Sequence, residues 1–221
     1  MSMIKFRALR GTLIVVAALY LVNSAIIHAQ EPPVPQVSKP TRLNSREKNY
    51  LMLLAKEPLK AQLEGREPRT PRDNPAMKRL DIAQPMVVTL YLNNEPVARV
   101  WELRSPGPIA TSALALGAKV LSAPDIGRVL TIEELAKAKM GFAVFEPLEE
   151  IKSDNDLKAG QGAVVINGFT FGVGLPGDMP KKFKPAELLS KACQLSGLRP
   201  GAWLTDKTVI FAALVDEEIE K

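Results

Sequence analysis

The stretch Ala163-Val164-Val165-Ile166-Asn167-Gly168-Phe169-Thr170-Phe171-Gly172-Val173 carries the strongest local signal in the chain. Two β-rich runs flank Asn167-Gly168, the pair best suited to a type I′ hairpin turn, so the segment predicts two antiparallel strands. Antiparallel pairing here sets the class of fold for everything around it.

Upstream, Met86 to Leu92 is a second β-rich run, and Asn93-Asn94-Glu95 forms a turn into a strand over Val97 to Leu103. Gly141 to Phe145 and Thr208 to Val215 supply further strands. Helices are interspersed among them. Asn44 and Glu47 form an N-cap and N3 pair opening a helix that carries Leu51, Leu54 and Ala55 inward, with Pro58 expected to interrupt or restart it. Ile109 to Leu121 is an Ala/Leu helix whose Ala110, Ala113 and Gly117 suit close packing on a sheet. Thr131 and Glu134 cap a short helix, and Pro185 to Ser196 is a helix stopped by Gly197. Hairpins mixed with helices predict an α+β fold around a mixed or largely antiparallel sheet.

Outside this region lie two different kinds of sequence. Lys5, Arg7 and Arg10 precede an apolar run from Thr12 to Ile27, and Ile27-His28-Ala29 offers a small-residue exit. Residues 1–29 therefore read as a cleaved secretory signal or an uncleaved signal anchor. Both readings place the folded part outside the cytoplasmic membrane, in the periplasm or another extracytoplasmic space. Residues 30–42 are a Pro-rich linker (Pro32, Pro33, Pro35, Pro40), leaving 43–221 as the α+β domain. Glu67 to Gln84 is a polar, Pro-containing stretch expected to wrap the surface.

Charge and composition narrow the function. The chain holds 29 Lys+Arg against 24 Asp+Glu, and without Lys5, Arg7 and Arg10 the balance is 26 to 24. That near-neutrality argues against a nucleic-acid partner. The one histidine, His28, lies in the leader, so the domain lacks the commonest general base and metal ligand. Cys193 is the one cysteine and can form no disulfide within the chain.

The order of pieces resembles the AMMECR domain family. The resemblance rests on Leu53-Leu54-Ala55-Lys56, on Val87-Val88-Thr89-Leu90 before a turn, and on Thr131-Ile132-Glu133-Glu134-Leu135 ahead of Val144-Phe145-Glu146-Pro147-Leu148. Gly174-Leu175-Pro176, Leu189, Ala192-Cys193 and Gly197-Leu198 follow in the same order. The match runs from about Ser45 to Val215 with similar spacings. It implies an α+β domain of two subdomains around a central sheet and no established reaction. It also implies a Memo-like or radical-SAM protein as a possible partner, since some prokaryotic members are associated with such proteins. The chain departs from the family twice. Human relatives are not exported, and the family's Leu-Arg-Gly-Cys-Ile-Gly hallmark is replaced by Val97-Ala98-Arg99-Val100-Trp101-Glu102. No family site residue carries over.

Candidate chemistry is sparse. Cys193 reads as a core residue at the wrong end of its helix for thiolate activation. Asp154-Asn155-Asp156 lacks the glycine and glutamate of an EF-hand loop and reads as a solvated turn. Glu146, Glu149 and Glu150 read as an exposed acidic edge, and Gly160-Gln161-Gly162 and Gly172-Val173-Gly174 as hairpin ends rather than phosphate loops. Lys181-Lys182-Phe183-Lys184 reads as a basic loop, with anionic lipid heads as the alternative. Arg99, Trp101 and Tyr91 are the candidate binding residues: if Trp101 faces the surface beside the other two, they make an aromatic and cationic interface patch. No cofactor or metal ligand set is expected. The leading expectation is a non-catalytic, exported domain that binds a protein or small-molecule partner. The alternatives are an enzyme with a site of Asp, Glu, Lys and Arg, and a subunit of a membrane-associated assembly.

Overall fold

The computed structural model describes residues 42–69, 80–103, 107–123 and 128–220. The expected leader and most of the Pro-rich linker lie outside the described residues, as do residues 70–79 of the polar stretch.

Helix α1 (Ser45–Leu63) starts as the sequence predicts: the Asn44 side chain accepts from the amides of Arg46 and Glu47, and Glu47 returns a bond to the Asn44 amide. Pro58 neither interrupts nor restarts it. Burial of Leu51, Leu54, Ala55 and Leu59 along one face offsets the one backbone bond the proline ring removes. Strands β1 (Met86–Leu92) and β2 (Glu95–Glu102) are joined at Asn93 and Asn94, whose φ of 54° and 65° define the type I′ geometry that asparagine tolerates. Helix α2 (Ile109–Val120) follows. Ala113 packs in the core, but Gly117 meets α1 rather than the sheet: a Cβ there would sit 2.2 Å from the Ala55 carbonyl oxygen.

The short helix α3 (Ile132–Lys137) leads into β3 (Lys139–Phe145) and β4 (Glu149–Ile151). Strands β5 (Gln161–Asn167) and β6 (Thr170–Gly174) form the hairpin expected, with its turn one residue later. Asn167 pairs with Thr170, so Gly168 and Phe169 are the loop, and Gly168 takes the positive φ of 59°. Glycine in the first loop position makes this a type II′ turn instead of type I′. Helix α4 (Pro185–Leu195) and the long strand β7 (Thr208–Ile219) complete the domain, β7 running four residues past the expected end at Val215.

The sheet runs in the order β2-β1-β3-β7-β5-β6, and β4 pairs with β7 as well. Every pairing is antiparallel. The domain is α+β. One face is backed by helices in two places. Helices α1 and α2 cover Met86, Val88, Leu90, Met140, Phe142 and Val144, while α4 covers Ala163, Val165, Ile210 and Ala212. The other face folds onto itself. Val87 of β1 and Val173 of β6 share one cluster although β3, β7 and β5 lie between their strands, which requires the sheet to curl. Phe145, Val164 and Ala213 fill the concave side, and the Phe145 ring lies so close to Gly162 that a Cβ there would meet it at 2.9 Å.

Candidate functional site

Alternation along β2 puts Arg99 and Trp101 on the concave face, opposite Thr89 and Val87 of β1. Arg99 does not reach solvent; it is 7% exposed. Its guanidinium crosses to the far edge of the sheet. Nη1 donates to the Val173 carbonyl of β6 at 3.0 Å and to Asp178 Oδ2 at 2.7 Å, and Nη2 donates to Asp178 Oδ1 at 2.7 Å. Nε donates to Thr89 Oγ1 at 2.9 Å. The Asp178 side chain is 2% exposed and accepts also from the Leu175 amide at 3.0 Å. A bidentate, buried pair thus joins β2 and the segment after β6, the two ends of the strand order. Burial pulls the Arg99 pKa down, but the hydrogen bonds and charge of Asp178 outweigh it and hold the guanidinium protonated.

Two further groups complete this corner. Glu217 of β7 faces the same side, where its Oε2 accepts from the Gly177 amide at 2.9 Å. Burial first, and then the Asp178 charge, push the Glu217 pKa above the ordinary carboxylate range; the Gly177 bond, Arg99 and Lys48 only partly oppose them. Tyr91 of β1 is 7% exposed, with its ring over Gly141 of β3, where a Cβ would lie 2.9 Å from the ring. Burial is the main cause of its raised phenol pKa, and Arg99, Asp178 and Glu217 all act on it.

Trp101 lies elsewhere on this face. It packs half-buried on the apolar cluster with Leu103, Leu148, Ile166 and Phe211. The structure therefore brings Tyr91 and Arg99 together but buries both, and it sets Trp101 among apolar neighbours. The three make no exposed aromatic and cationic patch. Arg99 fills the space on β2 as its bulk suggests, and it spends its donors internally.

The remaining candidates behave as ordinary structure. Cys193 is fully buried against Leu188, Leu189 and Ala192, and burial pushes its thiol pKa up, away from reactivity. Asp156 caps its own 3₁₀ turn, accepting from the amides of Lys152 and Ser153. Glu149 and Glu150 are exposed on β4. Gly172 and Gly174 let α4 approach: Cβ atoms there would lie 2.2 Å from the Ala192 oxygen and 2.9 Å from the Leu188 oxygen. Lys181, Lys182 and Lys184 are exposed, and Phe183 packs against the α4 core. Among the described residues, no group of three His, Cys, Asp or Glu side chains is placed to hold a metal ion.

Sequence reasoning missed Asp178 and Glu217. The signal for Glu217 was alternation: Val215, Glu217 and Ile219 face the concave side, while Asp216 turns outward to the Leu43 amide at 2.7 Å and to Lys48 at 3.1 Å.

No protein-family model matches the chain, and no curated protein does. Among solved structures it is similar to Uncharacterized Protein PH0010 from Pyrococcus horikoshii, with 20% identity and a TM-score of 0.67. That match covers 82% of this chain and 95% of the other. At this identity the likeness shows the α+β fold alone.

Proposed function

We propose that this chain is a recognition domain, an exported AMMECR-like scaffold that binds a protein partner through the Trp101 region of its concave face and catalyses no reaction itself. One observation carries the reading: the buried cation of this face is saturated by internal partners, whereas Trp101, Leu103, Leu148, Ile166 and Phe211 remain half-buried. A rigid, half-buried tryptophan on a face that carries other half-buried apolar side chains is the kind of residue enriched at interface hot spots. The family resemblance makes a Memo-like or radical-SAM protein the first partner to try, and the signal-like leader supports a meeting outside the cytoplasmic membrane.

A photo-cross-linking residue at Ile166, in the full chain expressed in its own cells, tests this. The expected result is one dominant protein adduct, missing when the same residue replaces the exposed Leu204. Trp101 and Trp203 are the two tryptophans, so in the W203F variant the purified partner should change the fluorescence of Trp101 alone. Trp101→Ala should weaken binding by about tenfold or more. Equal adducts at both positions, or unchanged binding by W101A, would overturn the reading.

A specific observation favours a second reading. Asp178, Glu217 and the Tyr91 phenol converge in one corner, a set of groups suited to proton transfer. Turnover by the purified chain that Glu217→Gln abolishes, with binding retained, would select the enzyme.

A further inference from the structure

The segment Leu175-Pro176-Gly177-Asp178 is attached to the rest of the domain by three different strands. Leu175 continues from β6 into the concave cluster, where it is buried. Asp178 is clasped by Arg99 of β2, and the Gly177 amide bonds to Glu217 of β7 at 2.9 Å. Between those anchors Gly177 itself is exposed. The segment is a strap with a buried root and two polar fastenings, and it covers the carboxylate that holds one of them.

We infer that residues 175–178 form a proton-gated strap, closed most firmly when Glu217 carries a proton and opening more readily when Glu217 is ionised. With the strap down, the Glu217 side chain is half-buried, with Gly177 against its carboxylate and Asp178 nearby, and both circumstances disfavour its charge. With the strap lifted, water returns and Asp178 withdraws, so ionisation costs less. The state that ionises more easily gains population as pH rises. The groups facing Glu217 are Asp178 on the strap, Arg99 on β2 and Tyr91 on β1, while Lys48 of α1, on the other side of the sheet with Asp216, acts on it through charge alone. Arg99 stays cationic, burial keeps the Tyr91 phenol neutral, and Lys48 is paired with Asp216 at 3.1 Å. Partner binding plays no part in this inference.

Amide hydrogen exchange in the purified full chain between about pH 5 and 8 tests it, after intrinsic exchange rates are divided out. The opening constant at Gly177 and Asp178 should rise about threefold or more across that range. Leu116 in α2, buried in the separate cluster under α1 and α2, should show no such trend. Glu217→Gln keeps an acceptor for the Gly177 amide and removes the titration, so its strap protection should not vary with pH. In the unaltered chain, the midpoint of the Glu217 carboxyl chemical shift should coincide with the midpoint of the opening trend. A flat profile in the unaltered chain, the same slope in E217Q, or separated midpoints would each overturn the inference.

Discussion

In one corner of the concave face Arg99, Thr89, Asp178 and Glu217 meet through directed hydrogen bonds; in the rest, Trp101, Phe145, Val164, Ile166 and Phe211 pack side chain against side chain. Arg99 and Trp101 are two residues apart on one strand and point to the same side, yet they serve different ends. The polar corner fastens sheet edges that form no backbone ladder with one another. The apolar part fills the curl without directional demands. Closure of this sheet therefore depends on geometry in the corner and on volume elsewhere, and the two should fail differently.

Removing one member of the clasp should produce the largest effect. Asp178→Ala leaves the Arg99 guanidinium buried without its counter-charge, a change that costs about 3–5 kcal/mol in comparable pairs. For a domain of this size that lowers the melting temperature by roughly 10–15 °C. Replacing both partners with apolar residues, Arg99→Met with Asp178→Leu, should cost less than the single change, because no orphaned charge remains. Thermal melts of the three proteins decide it. A double variant as unstable as the single one would mean that the clasp supplies more than neutralisation.

The apolar part should respond to size alone. Phe145 is fully buried and reaches from β3 past β7 to Gly162 of β5, so Phe145→Leu shortens an apolar side chain that fills the curl. A loss of about 1–2 kcal/mol is expected from the reduced packing. That loss should be the same at pH 5 and pH 8 by denaturant unfolding, since the substitution leaves the Gly177–Glu217 contact in place. A pH-dependent loss would show that the two parts are coupled.

The contrast also sets what could be read from the sequence. The cap of α1 and the Asn93-Asn94 turn were legible because each depends on residues within four positions of one another. The hairpin was legible, but its register was not, because Asn167-Gly168 and Gly168-Phe169 are both good turns and the pairing of β5 with β7 selects between them. The polar corner was illegible. Arg99 and Asp178 are 79 residues apart, and only the curl of the sheet joins them. Glu217 sat inside Asp216-Glu217-Glu218, an acidic run that reads as solvent-facing. In the fold these residues alternate: Asp216 turns outward to hold α1, and Glu217 turns inward to hold the strap.

The smallest effect should also have the most unusual sign. Most carboxylates that a fold uses are easier to ionise in the native state, so acid weakens the protein. Glu217 is the reverse case, its folded pKa lying above the unfolded value through burial and the neighbouring Asp178. Its favourable contribution is complete below the unfolded pKa and is lost as pH rises through the folded one. Glu217→Gln imitates the protonated form at every pH. It should match the unaltered protein near pH 4 and exceed it at pH 8 by roughly 1–3 °C in melting temperature. The Gln amide oxygen still accepts from Gly177, so the gain isolates the cost of the charge from the loss of the bond. Melts across that range, compared with Phe145→Leu as the change that titrates nothing, measure how far the polar corner stores destabilisation that the apolar part does not. An E217Q protein less stable than the parent at pH 8 would mean that the charged bond to Gly177 outweighs the burial of the charge.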